Sequence, residues 1–237
     1  MLVQGWAESG HWVNSLLKVL LERIPGVKVV VVDYLIDAKG QENPYFHSHM
    51  KVEEYANIVK MAYIQVQKDY PGITIFSVGH SLGGILLRYL CLEGLFPSRN
   101  MVLVGTPNEG IPYSFVGGRV VGLITCPLFY VLSSKWLYNV PLYRQLLWGS
   151  EFIKKLNEKR IPGDAHYIRG EKDLLGNSAD PLGVGVSVKC DHHLVPSFGG
   201  KTLEELSTEE MELYSNSAIP EILRIIDEEL VKIKARV

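Results

Sequence analysis

The sequence predicts an α/β protein built on a mostly parallel sheet of about six strands, with helices on both faces. Two observations carry this prediction. Short β-branched runs alternate along the chain with segments that repeat apolar residues every three or four positions. One of these runs, KVVVVDY at residues 28–34, is almost entirely apolar, which is typical of a strand covered on both sides in a parallel sheet. Strands of such a sheet are joined by right-handed crossovers through helices.

The first half of the chain follows this alternation closely. The first two helical stripes end at Pro-Gly pairs, Pro25-Gly26 and Pro71-Gly72, and proline and glycine are common helix terminators. Between the stripes lie the β-branched runs that we assign to strands. We predict strands at 2–4, 28–34, 73–78 and 101–105, and helices at 13–24, 55–66 and 81–94.

The second half begins with a lapse in the alternation, between residues 106 and 147. The pattern then resumes with a helix at about 151–159 and strands at 166–169 and 184–188. A final helix, near 222–233, places isoleucines and leucines on one face. We therefore expect one domain over residues 1–237, with an insertion at about 111–147 that lies over the sheet as a cap or lid.

Composition excludes several classes of protein. Apolar residues make up 47% of the chain and charged residues 21%, which is typical of a globular domain. The 24 basic and 26 acidic residues leave a net charge of −2 without a long block of one sign, so we expect no nucleic-acid partner. Three cysteines without a CxxC motif predict free thiols rather than a disulfide framework.

Targeting signals give little information about the compartment. The sequence shows no charged segment followed by an apolar run at its start, so no signal peptide is predicted. The longest apolar passage, 120–132, is interrupted by Gly122 and Pro127 and is too short to span a bilayer. The strand predicted so close to Met1 is compatible with further residues upstream, and we leave the localisation open.

The stretch GHSLGG, residues 79–84, stands between a predicted strand and a predicted helix. In a G-x-S-x-G turn of this kind, the serine adopts a strained backbone that pushes its hydroxyl outward. Side chains two residues before and two after would collide, which explains Gly79 and Gly83. We therefore predict that Ser81 is a nucleophile at the carboxyl edge of the sheet. The alternative is that Ser81 merely caps the helix.

A serine nucleophile needs a histidine base, and the base needs a carboxylate that orients it. Downstream of the serine, Asp173 follows the predicted strand at 166–169, and Asp180 follows in SADPLG. We favour Asp173, because Asp180 leaves few residues before the next strand begins. Both carboxylates remain candidates.

The base is expected just after the last strand, where the sequence reads DHHL at 191–194. We choose His192 over His193, because it follows Asp191 directly and has Val195 three residues on. His193 stays the alternate. We give no catalytic role to the remaining histidines, and the His47-Ser48-His49 pair lacks the cysteine or carboxylate neighbours of a metal site.

Two backbone N–H groups are expected to stabilise the oxyanion of the reaction. One belongs to Leu82, which directly follows the nucleophile. The second belongs to Trp6, in the loop Gln4-Gly5-Trp6 after the first strand.

These motifs resemble those of the lipase and esterase branch of the α/β-hydrolase superfamily. The resemblance rests on GHSLGG, on GTPNEG at 105–110, on the terminal DHHL and on the alternation of elements. The segment GEKDLLGNSADPLG is similar to the acid loop of bacterial triacylglycerol lipases, and LERIPGVKVVVVDY and SLGGILLRYL are similar to segments of palmitoyl-protein thioesterases. The resemblance implies an α/β-hydrolase fold that starts at the third strand of the full fold.

The resemblance also implies site residues, with two departures. Ser81 would be the nucleophile, Asp173 the acid and His192 the base, with Trp6 and Leu82 as oxyanion donors. Gln4 stands where these families usually carry histidine. The aspartate that binds calcium in some bacterial lipases is absent after the histidine, so we expect no metal and no cofactor.

The insertion suggests the substrate. It is rich in apolar side chains, which suits a lid that contacts an acyl chain. We expect a lipophilic acyl ester or thioester on a protein or small molecule, and peripheral membrane contact through the cap. The acyl-contacting candidates are Phe115, Leu123 and Phe129.

Two other functions remain compatible with the sequence. A hydrolase-fold protein without catalysis could bind a lipid or serve as a scaffold, and an acyltransferase could use the same triad with an alcohol as acceptor. The sequence leaves open whether the bond is an ester or a thioester, and which acyl length is used.

Overall fold

In the computed structural model, the described residues are 1–5, 11–32, 50–111, 140–159, 164–173, 182–189, 196, 198 and 201–235. Within them, six strands form one sheet and seven α-helices surround it. The strands are β1 (Leu2–Val3), β2 (Val31–Val32), β3 (Ser77–His80), β4 (Met101–Val104), β5 (His166–Gly170) and β6 (Val186–Val188). The helices are α1 (His11–Arg23), α2 (Val52–Asp69), α3 (Leu82–Leu92), α4 (Pro141–Leu146), α5 (Glu151–Glu158), α6 (Thr208–Asn216) and α7 (Ile219–Lys234).

The sheet has the strand order β2-β1-β3-β4-β5-β6, and every neighbouring pair is parallel. The chain moves outward from β1 to β2 and then returns to β3 on the other side of β1. The order therefore reverses between β1 and β3, and ligands of open α/β sheets bind in the crevice at such a switch point. All carboxyl ends lie at one edge of the sheet. The predicted parallel α/β architecture is confirmed.

Two apolar cores cover the two faces of the sheet. Successive residues of a strand point to opposite faces of the sheet. Leu2 and Val102 therefore belong to one core, and Val3 and Leu103 belong to the other. Helices α2, α3, α4 and α5 pack in the core of Val3, and helices α1 and α7 pack in the core of Leu2. The strands are apolar on both faces for this reason.

Several element boundaries differ from the sequence prediction. The strand predicted at 73–78 is observed at Ser77–His80, and the strand predicted at 28–34 pairs only at Val31–Val32 within the described residues. Strand β3 begins at Ser77 because its neighbour β4 begins at Met101, directly opposite, after a turn of 3-10 helix at Ser98–Asn100. Helices α4 and α6 were not predicted, since neither sequence segment stands out from its irregular surroundings by apolar periodicity.

None of the helices in the described ranges combines the length and the apolar character needed to cross a bilayer. Cys91 carries a free thiol, as predicted, and is partly rather than fully buried. The other two cysteines lie outside the described residues.

Candidate active site

The strand-to-helix turn at Ser81 is the most strained point in the described backbone. Ser81 has φ 50° and ψ −118°, and it is the one non-glycine residue with a positive φ in the described ranges. Residues with a side chain rarely adopt this conformation, and it persists only where the surroundings enforce it. The turn directly follows β3, beside β1, at the switch point of the sheet. The strain therefore coincides with the place where this sheet would bind a ligand.

Three glycines around the serine leave no room for a side chain. A Cβ atom on Gly79 would lie 2.7 Å from the Gly83 backbone, and one on Gly83 would lie 2.1 Å from the Val3 carbonyl oxygen. A Cβ atom on Gly84 would lie 1.8 Å from Oγ1 of Thr106. The turn is thus clamped between β1, its own helix and the loop after β4. This contact set explains why the sequence carries glycine on both sides of the serine.

The Ser81 side chain makes no capping hydrogen bond to α3. Its backbone N–H instead donates to the Val104 carbonyl (2.9 Å), which ties the turn to the end of β4. The helix begins at Leu82, so the first N–H groups of α3 lie directly beside the nucleophile candidate. The geometry does not favour the alternative that Ser81 is a helix cap.

The loop after β1 lies against the same turn. Gln4 is 1% exposed, and its carbonyl oxygen would lie 2.7 Å from a Cβ atom on Gly83. The backbone therefore enters the predicted oxyanion loop within contact distance of the first turn of α3. Trp6, the predicted second donor, lies outside the described residues.

Asp173 is located at the carboxyl edge of the sheet, three residues after β5. Its side chain is 7% exposed, and its N–H donates to the Gly170 carbonyl (3.2 Å) in a tight turn. The neighbouring Glu171 N–H donates to the Val188 carbonyl (2.8 Å), which joins this turn to the end of β6. The competing carboxylate, Asp180, lies outside the described residues.

The sheet places the serine and the aspartate on one edge, two strands apart. Since neighbouring strands are about 4.8 Å apart, the ends of β3 and β5 are separated by roughly 10 Å. An imidazole can bridge a gap of this size between a hydroxyl and a carboxylate. His192 and His193 follow β6, the strand next to β5, but lie outside the described residues. The structure thus brings Ser81 and Asp173 to the same edge and leaves the base a prediction.

A buried arginine on α3 was missed by the sequence analysis. Arg88 is 0% exposed, and its guanidinium donates to the Asn108 carbonyl (3.0 Å), the Leu156 carbonyl (3.0 Å) and Oδ1 of Asn157 (2.7 Å). Burial lowers the pKa of Arg88 to about 10. Helix α3, which directly follows Ser81, is therefore fixed to the GTPNEG loop and to the end of α5. A single arginine inside the apolar run ILLRYLCL was the signal for this role.

The described ends of the insertion meet in space. The Ile111 N–H donates to the Leu146 carbonyl (2.7 Å), and the Trp148 N–H donates back to the Ile111 carbonyl (2.9 Å). Ile111, which directly follows the GTPNEG loop, thus lies beside the end of α4. The acyl-contacting candidates Phe115, Leu123 and Phe129 all lie outside the described residues.

The remaining histidines with described side chains have other surroundings. His80, which directly precedes Ser81, is 2% exposed and belongs to the packed interior. His166 begins β5 and lies at the amino edge of the sheet, opposite the serine. In the described ranges, no group of three or more histidine, cysteine or carboxylate side chains could hold a metal ion.

We call this turn the elbow: its serine has a positive φ and is clamped by glycines between a parallel strand and a helix, which is typical of one fold. The chain has the α/β-hydrolase fold. The predicted fold class is therefore confirmed.

Comparisons with known proteins give similarities in fold alone. No protein-family model and no curated protein sequence matches the chain. Similar solved structures include a "putative lipase" from Acinetobacter baumannii AYE, 15% identical over 96% of this chain and 84% of its own, with a TM-score of 0.49. An extracellular α/β-hydrolase from a Paenibacillus species is 18% identical over 90% of this chain and 96% of its own, with a TM-score of 0.46.

Proposed function

We propose that the protein is a serine hydrolase that cleaves an ester or thioester of a lipophilic acyl group through an acyl-enzyme. Ser81 is the nucleophile, His192 the general base and Asp173 the carboxylate that orients it. The observation that carries the proposal is the backbone of Ser81, held at a positive φ by three glycines while its side chain leaves the helix uncapped. A serine with only a structural role would not need this strained and crowded turn.

The reaction follows from the chemistry of the three side chains. His192 takes the proton of the Ser81 hydroxyl as its oxygen attacks the acyl carbonyl carbon. The collapse of the tetrahedral intermediate expels the alcohol or thiol, which receives the proton from His192. Water then attacks the acyl-enzyme with the same histidine as base and releases the free acid. Asp173 keeps the imidazole in the correct tautomer throughout.

Backbone N–H groups stabilise the oxyanion in this proposal. The Leu82 N–H belongs to the first turn of α3, where the helix dipole adds partial positive charge. The Trp6 N–H is the proposed second donor, and the contact of the preceding Gln4 backbone with Gly83 supports its placement near the elbow. No cofactor or metal is required by these steps.

The acyl specificity is a further part of the proposal. The predicted insertion, about 111–147, is rich in aromatic and aliphatic residues. Its two ends pair directly after the GTPNEG loop, whose Thr106 lies against Gly84. A lipophilic segment anchored next to the elbow suits an acyl chain better than a small polar acid. Phe115, Leu123 and Phe129 are the proposed acyl contacts, and the same cap is the proposed point of peripheral membrane contact.

A fluorophosphonate probe tests the nucleophile directly. We expect it to label Ser81, as read by peptide mapping, and we expect Ser81→Ala to lose both labelling and hydrolysis of p-nitrophenyl acyl esters. Ser215→Ala, which changes an exposed serine on α6, is the matched control and should keep both. Labelling confined to another serine, or undiminished turnover in Ser81→Ala, would contradict the proposal. A chain that folds but is never labelled would favour a non-catalytic lipid-binding or scaffold protein.

Paired variants test the acid and the base. We expect Asp173→Asn and His192→Ala to lower kcat by at least about a thousandfold, whereas Asp180→Asn and His193→Ala should retain most of it. The reverse pattern within either pair would transfer the role to the alternate residue.

A substrate series tests the acyl group and the leaving group. Activity should rise from acetyl to medium or long acyl chains on matched p-nitrophenyl esters and on acyl thioesters. A strict preference for acetyl esters would contradict the proposal that the cap contacts the acyl chain. Product analysis with added alcohol distinguishes a hydrolase from an acyltransferase, because an acyltransferase forms the new ester in preference to the free acid.

A further inference from the structure

A buried cation on α3 is paired only with neutral oxygen atoms. Arg88 is 0% exposed, and its pKa, which burial lowers to about 10, keeps the guanidinium charged at neutral pH. In the described part of the chain, its hydrogen bonds go to backbone carbonyls and asparagine side chains, and Nε is buried without a partner. A charge that leaves water without a counter-charge is costly. Packing alone would therefore favour an apolar side chain here, as in the rest of the run ILLRYLCL.

The guanidinium joins two segments that are far apart in the sequence. Its Nη1 atom donates to the Asn108 carbonyl (3.0 Å) in the GTPNEG loop. Its Nη2 atom donates to the Leu156 carbonyl (3.0 Å) and to Oδ1 of Asn157 (2.7 Å) at the end of α5. Because a guanidinium is planar, the directions of these N–H groups are fixed relative to one another. Arg88 thus determines how the GTPNEG loop lies against α3.

The GTPNEG loop contacts α3 at a second point, one helical turn closer to Ser81. Gly84 and Arg88 are separated by one turn of α3 and therefore lie on the same face of the helix. Oγ1 of Thr106 lies against Gly84, where a Cβ atom would come within 1.8 Å of it. The Gly84 N–H donates to the Ser81 carbonyl (3.1 Å), so this contact is made with the elbow itself.

Asn108 connects the two contacts. Its backbone N–H (2.8 Å) and its side-chain amide (3.2 Å) both donate to the Thr106 carbonyl, while its own carbonyl accepts the hydrogen bond from Arg88. Asn108 and Thr106 are both 0% exposed, so water does not reach these hydrogen bonds to replace them. A continuous chain of buried contacts therefore leads from Arg88 to the elbow.

We propose that Arg88 is a positioning residue for Ser81. By holding the GTPNEG loop against the first turn of α3, it keeps the Ser81 backbone and the Leu82 N–H in the geometry that the tetrahedral intermediate requires. The inference rests on the proposed function, because it concerns the rate at which Ser81 reacts. Displacing a reacting group by about 1 Å can slow a reaction about a hundredfold. Since Arg88 is fully buried and does not reach a substrate, its loss should lower kcat and leave KM nearly unchanged.

Steady-state kinetics with a p-nitrophenyl acyl ester test the proposal. Rates are divided by the number of Ser81 sites that the fluorophosphonate probe labels at completion, which excludes chains that do not fold. We expect Arg88→Met to lower kcat per labelled site by at least about tenfold, with KM within about twofold of the unchanged chain. Asn108→Ala, which removes only the side-chain links, should lower kcat by at least about fivefold. This second variant keeps the test decisive if Arg88→Met fails to fold.

Two control variants separate positioning from stability. Asn157→Ala removes an acceptor of Arg88 on α5 and leaves the contact with the GTPNEG loop in place. Ile222→Ala creates a cavity in the core on the other face of the sheet and destabilises the chain without touching the elbow. Both should keep kcat per labelled site within about twofold of the unchanged chain.

A double variant tests the path from Arg88 to the elbow. In the Arg88→Met background, Asn108→Ala should lower kcat by less than a further factor of about two, because the two residues act in one chain of contacts. Losses that multiply would overturn the path through Asn108, and so would a loss in Arg88→Met with none in Asn108→Ala.

The remaining outcomes distinguish this inference from the proposed function. Unchanged kcat in both Arg88→Met and Asn108→Ala, in a chain whose Ser81 is labelled and active, would overturn the positioning role alone. An equal loss of kcat in Ile222→Ala would also overturn it, since destabilisation would then explain the effect. An unchanged chain that folds but is never labelled at Ser81 would overturn the proposed function and this inference together.

Discussion

The two edges of the sheet differ in how tightly their backbones are packed. At the carboxyl edge, the elbow glycines lie so close to β1 and to the loop after β4 that hypothetical Cβ atoms would approach other atoms to 1.8–2.7 Å. At the amino edge, Gly26 and Gly72 have no atom within 4 Å of a hypothetical Cβ, and a cavity of about 680 Å³ that Gly26 helps to line opens there. The same parallel sheet is therefore tightly packed at one end and loosely packed at the other.

This difference in packing density matches the difference in backbone strain between the two edges. A strained serine persists only if its surroundings prevent relaxation, and the close contacts of the elbow provide that constraint. The amino edge holds no strained non-glycine residue in the described ranges, and its turns are free to remain loosely packed. Substitutions of the same chemical kind should consequently have very different effects at the two edges.

The largest expected effect comes from adding a methyl group to a glycine at each edge. Gly83→Ala places a Cβ atom 2.1 Å from the Val3 carbonyl, and since this contact is with backbone, we expect a loss of at least about 3 kcal/mol in the free energy of unfolding. Gly72→Ala meets no atoms but must keep φ at 82°, so we expect a loss of about 1 kcal/mol. Chemical denaturation of both variants measures the difference. Equal losses would show that the elbow is no more tightly packed than the open edge.

A second comparison uses two arginines. Arg88 is buried beside the GTPNEG loop, whereas Arg224 on α7 is half exposed and pairs with Glu221 and Glu228 near the amino edge. Arg88→Met leaves the acceptors on Asn108 and Leu156 buried without their donor, and we expect a loss of about 3 kcal/mol.

The matched variant Arg224→Met breaks solvent-exposed ion pairs and should cost less than about 1 kcal/mol. Thermal and chemical unfolding of the two variants check the ranking. If Arg224→Met proved as destabilising as Arg88→Met, the guanidinium of Arg88 would not be a structural link between α3 and the GTPNEG loop.

The sequence was most informative where local chemistry determines the geometry. GHSLGG predicts the elbow because a tight turn between a strand and a helix requires glycine two residues before and two residues after the serine. The observed positive φ of Ser81 agrees with this prediction. The start of β3 was predicted four residues too early, because a β-branched run cannot reveal that its neighbour β4 begins only at Met101, opposite Ser77. Arg88 was missed for a similar reason, since its partners at 108 and 156–157 are distant in sequence. The pairing of residues far apart in the chain is what local patterns cannot supply.

A smaller effect, of opposite sign, is expected at Ser81, the proposed nucleophile. Ser81→Gly removes the side chain that makes φ 50° and ψ −118° unfavourable, and glycine adopts positive φ readily. Part of this gain is offset by the greater freedom of glycine in the unfolded state, so we expect a net stabilisation of about 1 kcal/mol. The variant should also lose labelling by the fluorophosphonate probe.

The comparison of Ser81→Gly with Ser81→Ala isolates the strain, because both variants lack the hydroxyl while only one relaxes the backbone. Denaturation midpoints should rank Ser81→Gly above Ser81→Ala. The opposite ranking would mean that the elbow stores no conformational energy.

The smallest expected effect concerns pH at the amino edge. Burial lowers the pKa of His166 below its usual value. The carboxylate of Glu229, 3.9 Å from Nε2, and a hydrogen bond with the Arg99 backbone both raise this pKa and so oppose part of the shift. Lys232 and Arg224 act in the same direction as burial. The unfolded chain therefore binds a proton at a higher pH than the folded chain, and stability falls as the pH decreases through the usual histidine value towards the folded one.

We expect His166→Asn to reduce the drop in Tm between about pH 7.5 and about pH 5.5, because the variant has no imidazole to protonate. Glu229→Gln should enlarge the drop, since it removes the negative charge that favours the protonated ring. Thermal unfolding of the three chains across this range measures both changes. Strand β5 joins His166 at its amino end to the turn of Asp173 at its carboxyl end. An unchanged pH profile of hydrolysis in His166→Asn would show that the two edges of the sheet act independently. A shifted profile would show that the two edges are coupled.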